Sequence, residues 1–362
     1  MKLSPFNPMF GKRPQTFVGR ADIIENLLGS YHDPNAPERI TILSGVRGCG
    51  KTSILSDITS ILEEDSDWIV INSSSTDHLL ENIIGMFELK LDEKKHKRQV
   101  GIDSVSVGLP FVNLEVGLSN KNLQEPLGFY PKLYKLLSIC RDLELKVLFA
   151  IDEVNNTKDV KEFISSYQLL YRENFELCLL MAGLPHLVDS VLNDEVLTFL
   201  RRANRIVLST IEPYNFKVEY EKIFQENGFI VEHEGIELAY RSTGGYPYLF
   251  QLIGFFLWKT ENKKINLSNV RRAIEQSKGM LYQNVYDIVY SELSIVEQGF
   301  LLAMAKAGNK VEVQAIRESL EKDSAYVNNY KNRLVKRGII KSAGFGVVAF
   351  TLPFFVDFLL EQ

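Results

Sequence analysis

Cysteine is scarce in this 362-residue chain: Cys49, Cys140 and Cys178 are scattered without pairing or metal-binding spacing. That excludes a disulfide scaffold and is what a reducing compartment tolerates. Histidine is also rare, at five residues, which argues against a His/Cys zinc site. No stretch of about eighteen apolar residues exists to cross a bilayer. The start, MKLSPFNPMFGKRPQ, lacks the apolar core of a secretory signal. A cytoplasmic location with no membrane partner is the expectation. Excess positive charge is absent too. Lys and Arg number 41 against 46 Asp and Glu, a net charge of -5, so any nucleic-acid surface has to be local.

What is present is ordinary globular material, 45% hydrophobic and 24% charged, in a chain long enough for two or three domains. Apolar runs alternate with helical periods: ITIL, WIVIN, KVLFAID, ELCLLMAG and RIVLS are each separated by amphipathic stretches. Buried strands alternating with helices predict an α/β domain with a parallel sheet covered on both faces, spanning residues 1–212. The charged run DEKKHKR interrupts this rhythm at 92–98. After it Val105, Val107 and Leu109 alternate on odd positions, then Val112, Leu114, Val116 and Leu118 on even ones. A β-hairpin inserted near 100–120 fits that change of phase; whether it is a plain surface flap stays open.

Beyond Pro213 four helices punctuated by Gly and Pro fill 213–288. Residues 289–362 read as three helices, the last ending on Gly338, followed by a hairpin around Gly344 and Gly346. That order is a winged helix-turn-helix.

The segment GVRGCGKTS at 45–53 lies between a strand and a helix and fits G-x-x-x-x-G-K-[ST] at Gly45, Gly50, Lys51 and Thr52. Glycines let successive backbone N–H groups turn inward, a nest for anionic oxygens at the positive end of a helix dipole. Lys51 is expected to reach the β- and γ-phosphates and neutralise charge developing there; Thr52 is expected to ligate Mg²⁺. The strand KVLFAID ends in Asp152 and Glu153, one carboxylate to hold the metal and one to polarise an attacking water.

With FVGR at 17–20, the loop, the FAIDE strand and GGYP at 244–247, the chain resembles the AAA+ lineage of P-loop ATPases. Within it the chain is similar to the branch holding STAND ATPases, archaeal-type ATPases and origin-recognition initiators, in particular to bacterial ATP-binding proteins of that branch. The resemblance implies ATP/ADP with Mg²⁺ as ligands, a helical lid and a winged helix. It implies that Phe17, Val18, Gly19 and Arg20 pack against adenine, that Pro247 touches the nucleotide from the lid, and that Arg47, Gly48, Cys49 and Ser53 complete the nucleotide set. Arg202, with Arg201 and Arg205 close behind, is the positional choice for an arginine donated by a neighbouring subunit, so a homo-oligomer is implied.

Two departures stand out. The strand LLMAGLP offers only Ala182 and Gly183 where the lineage places a polar sensor, and the lid has GGYP in place of a sensor arginine. Slow turnover follows as an expectation. His186 lies nearby, as a structural residue or a substitute. Cys49 is either a small residue beside phosphate or, at a helix N-terminus, a thiol of lowered pKa.

The third helix of the last domain carries Asn328, Lys331, Asn332, Arg333, Lys336 and Arg337, with no carboxylate between Asp323 and Asp357. A local basic face with amides suits duplex DNA. Lys and Arg near a helix C-terminus are also favoured by the dipole alone, so a winged helix that only relays nucleotide state stays open. The resemblance to STAND proteins, which usually carry a long repeat sensor after the winged helix, implies that the sensor or effector here is a separate chain or DNA itself.

Overall fold

The apolar runs become strands of a single parallel sheet. A computed structural model describes residues 3–9, 18–99 and 127–362; the hairpin expected near 100–120 and Phe17 lie outside the described residues. Helix α1 (Ala21–His32) precedes β1 (Ile40–Ser44), and α2 (Lys51–Glu64) leads to β2 (Trp68–Ser74). Helices α3 (Leu79–Gln99) and α4 (Phe129–Asp142) precede β3 (Lys146–Asp152). Then come α5 (Lys158–Arg172), β4 (Leu177–Gly183), α6 (Pro185–Leu192) and β5 (Asn204–Val207). The strand order is β2-β3-β4-β1-β5, with every pairing parallel. Such a sheet needs apolar side chains on both faces. Strand β3 supplies them by its two-residue period: Val147, Phe149 and Ile151 enter one core, while Leu148 and Ala150 enter the other. The run DEKKHKR does not break the chain, since α3 continues through it to Gln99.

Helices follow from Pro213: α7 (Pro213–Glu226), α8 (His233–Thr243), α9 (Pro247–Trp258) and α10 (Leu267–Leu281). Two short strands missed by the sequence pattern, β6 (Ile230–Val231) and β7 (Lys264–Ile265), pair in parallel beside them. A π-turn at Tyr282–Tyr286 joins α10 to α11 (Asp287–Ser291). The C-terminal part contains α12 (Ile295–Ala307), β8 (Lys310–Glu312), α13 (Val313–Leu320) and α14 (Ser324–Lys336). It ends with β9 (Ile340–Ser342), β10 (Val347–Phe350) and α15 (Phe355–Glu361). The hairpin β9–β10 gains an unforeseen third strand, β8, which pairs antiparallel with β10.

One continuous apolar core runs from Phe216 through Tyr286 to Leu359. Aromatic edges join its two halves: Tyr286 meets Phe355 at 4.9 Å between ring centroids, and Tyr282 meets Phe358 at 5.3 Å. The N-terminal segment is held by the same core through Phe6, 2% exposed and stacked on Phe224. Among the described residues no helix is long and apolar enough to cross a membrane.

Candidate functional site

Between β1 and α2 the chain turns tightly enough to need left-handed backbone at Gly48 (φ +76°) and Gly50 (φ +96°), a region glycine enters without penalty. A Cβ at Gly48 would strike the Tyr246 ring, and one at Gly45 would lie 2.5 Å from Cys49 Sγ. The loop is thus packed as well as turned. Lys51 Nζ donates to the carbonyls of Gly45 at 2.8 Å and Val46 at 3.0 Å. Tyr246, buried at the start of α9, donates its hydroxyl proton to the Arg47 carbonyl at 2.6 Å.

The sheet brings the end of β3 beside the start of α2. Thr52 Oγ1 donates to Asp152 Oδ2 at 2.6 Å, and the Glu153 amide donates to Asp152 Oδ1 at 2.9 Å. One hydroxyl and one carboxylate, with room for water, fit the donor set of Mg²⁺, which is held by few protein oxygens. Glu153 is exposed, in left-handed backbone at φ +53°. Asn155, held by Ser75 Oγ at 2.9 Å, also lines the cleft.

That cleft encloses about 760 Å³. Loop residues 47–53, Asp152 and Glu153 line it, as do Val18, Ile211 and Pro247 and Asn7, Pro8 and Met9 of the N-terminal segment. Arg20 also lines it, its guanidinium bonded to the Ser209 carbonyl. Gly45 and Gly19 support the walls without lining them, Gly19 through a left-handed turn at φ +64° against Asn215. Arg202 is exposed on the 3₁₀ turn Thr198–Arg202, outside the cleft wall. Its neighbours are engaged locally: Arg201 donates to the Leu192 carbonyl and Arg205 to that of Arg201.

The lack of a polar side chain at the end of β4 has a packing cause. A Cβ at Gly183 would lie 2.8 Å from Val154 Cγ1 and 3.0 Å from the Val154 carbonyl oxygen, while Ala182 is fully buried. Installing the polar group by Gly183→Asn is therefore expected to destabilise the protein by about 1–3 kcal/mol, the usual cost of overpacking. A denaturant melt checks this, and an unchanged midpoint would contradict it.

His186, half-buried in the cleft wall, has a lowered pKa, first because of burial and then because of Arg337. The lowered-pKa reading of Cys49 is corrected: burial raises its pKa, and neither Lys51 nor Arg20 reverses that. The thiol packs against Gly45 and stays protonated.

The C-terminal part reaches this cleft. A Cβ at Gly338 would lie 2.7 Å from Val46 Cγ1, so the missing side chain permits close docking, while its left-handed backbone (φ +75°) ends α14. Arg47 pairs with Glu292 at 3.3 Å. Asn328, Asn332, Arg333 and Lys336 are exposed; Lys331 is half-buried and donates to Asn328 Oδ1 at 2.9 Å. Arg337, grouped by sequence with that outer face, lines the cleft instead.

Residues 283–359 match a domain of unknown function, DUF8462. No curated protein sequence matches the chain. Among solved structures it is similar to a Walker-type ATPase of Pyrococcus abyssi, at 18% identity and a TM-score of 0.69, covering 96% of this chain and 97% of that one. It is also similar to the ORC2 protein of Aeropyrum pernix, solved in ADPNP–ADP complexes, at 13% identity and a TM-score of 0.61, covering 98% and 95%. The chain shares the α/β fold of these proteins along nearly its full length.

Proposed function

We propose that this chain is an ATP-binding protein and slow Mg²⁺-dependent ATPase, a nucleotide-controlled switch of the AAA+ lineage near its STAND and initiator-like branch. The observation that carries this reading is the convergence, in one cleft, of a glycine loop with Lys51, the Thr52–Asp152 pair and Glu153. Base and ribose would lie toward Val18, Ile211 and Pro247, and the phosphates along 47–53. Bound Mg²⁺ would supply charge neutralisation on the phosphates, held by Thr52 and Asp152. Glu153 would take a proton from the attacking water and Lys51 would neutralise charge on the transferring phosphoryl group. Turnover would be slow because β4 ends in Gly183, with no side chain to touch the terminal phosphate. Arg202, exposed and away from its own cleft, is the residue a second copy would receive.

In this reading residues 213–288 are a lid and 289–362 a winged helix, and the core they share supports their moving together. The exposed Asn328, Asn332, Arg333 and Lys336 support duplex DNA as the partner of that winged helix. The second reading, relay to a separate sensor or effector protein without DNA, is favoured by the seating of Gly338 on Val46. Calorimetry with ATP and Mg²⁺ tests the nucleotide site; no heat of binding would end the proposal. Mobility shift of duplex DNA at two salt concentrations separates the partners. A DNA-binding protein would lose affinity steeply with salt, by a slope of about 0.9 per phosphate contact. Lys336→Glu would weaken binding further, whereas absence of any shift at low salt would favour the relay.

A further inference from the structure

The rim where the C-terminal part meets the phosphate loop holds three arginines and two glutamates. Half-buried Arg47 and exposed Glu292 form a pair at 3.3 Å. The other three are arranged differently. Glu297 is 1% exposed at its side chain, and its Oε2 is well satisfied, accepting from Ser294 N at 3.0 Å and Ser294 Oγ at 2.8 Å. Its Oε1 is buried without a hydrogen bond. Two guanidiniums stand off from that oxygen: Arg333 Nε at 3.4 Å and Arg337 Nε at 3.6 Å. The carboxylate is therefore neutralised twice at distances longer than hydrogen bonds, so either cation can leave without stranding a buried charge.

Of the two, Arg337 lines the nucleotide cleft, beside Leu184 and His186 at the end of β4. That is the end of the cleft where Gly183 offers no polar side chain. Arg333 is not in the cleft wall, and its side chain is half exposed. Resting on the ATP-binding reading above, we propose that Arg337 is the cation at the terminal-phosphate end of the site, supplied by the same chain, and that it exchanges between that phosphate and Glu297. An anionic phosphate would draw Arg337 across the rim through charge-assisted, bidentate hydrogen bonds, the geometry guanidinium is suited to. Arg333 would stay as the counter-charge of Glu297. The C-terminal part would thereby carry one arginine fixed by nucleotide and one fixed by the glutamate released from it.

The test is nucleotide affinity of the full chain with Mg²⁺, for ATP and ADP separately. Because Arg337→Ala alone also alters the charge around Glu297, the decisive comparison is made in the Glu297→Gln background, where no buried carboxylate needs neutralising. Glu297→Gln by itself should tighten ATP several-fold, since it frees Arg337. Adding Arg337→Ala should weaken ATP by on the order of tenfold and ADP by less than about twofold. Equal ATP affinity of Glu297→Gln with and without Arg337→Ala overturns the assignment while leaving the ATP-binding reading intact. An equal loss for ATP and ADP overturns the terminal-phosphate placement. If the unmodified chain binds neither nucleotide, the reading beneath the assignment fails and takes it along.

Discussion

Lys51→Ala is expected to remove measurable binding of ATP and ADP. Its ammonium already sits over the loop, donating to the carbonyls of Gly45 and Val46, so little reorganisation separates that position from one on a phosphate. Removing one partner of a desolvated, hydrogen-bonded charge pair costs roughly 2–5 kcal/mol, or about 30- to 5,000-fold in affinity. The loop's own fold is less exposed to the change, because its turns at Gly48 and Gly50 and the Tyr246 bond to Arg47 do not involve Lys51. The variant should therefore melt close to the unmodified protein when no nucleotide is present. With saturating ATP and Mg²⁺ the unmodified protein should gain stability, about 2.7 kcal/mol at a hundred times Kd, and the variant should gain none. A full ATP-dependent stabilisation of Lys51→Ala would show that the loop does not hold phosphate.

The parts of this site legible in the sequence are those whose chemistry is local. Glycine at 48 and 50 is required by backbone angles set within a few residues, and the lysine and threonine that follow lie in the first turn of the next helix. The strand KVLFAID carried its carboxylates in the same way, with both faces of its alternation apolar until Asp152. Arg337 was not legible. Within its own helix it is one of several basic residues near a C-terminus, which the helix dipole already explains. Only the docking of Gly338 against Val46, residues far apart in the chain, turns it toward the cleft. The place of segment 3–9 in the fold was not legible for a related reason. The segment has no helical or strand period, and its anchors are Phe6, whose ring lies over Gly254 and stacks on Phe224, and the Asn7 N–H, which donates to Gln251 Oε1 at 2.9 Å. The third strand β8 was hidden by its three-residue length, too short for alternation to register.

Glu153→Gln is expected to keep nucleotide bound while lowering turnover by about 10²- to 10⁴-fold, the range a positioned general base contributes. The amide keeps the size of the side chain, and the Glu153 N–H to Asp152 Oδ1 bond is a backbone interaction that the substitution leaves in place. The Thr52–Asp152 pair should therefore stay assembled. The backbone at this residue gives an independent check. A non-glycine residue at φ +53° pays roughly 1–2 kcal/mol for left-handed geometry, a strain typical of functional positions. Glu153→Gly should relieve part of it, so this variant is expected to be at least as stable as the unmodified protein and still inactive. Steady-state phosphate release read beside a thermal melt distinguishes the cases. Glu153→Gln and Glu153→Gly that both bind ATP and both stall would assign the lost activity to the carboxylate. Turnover surviving in either variant would move the water-activating role to another group on the cleft wall, such as the His186 imidazole.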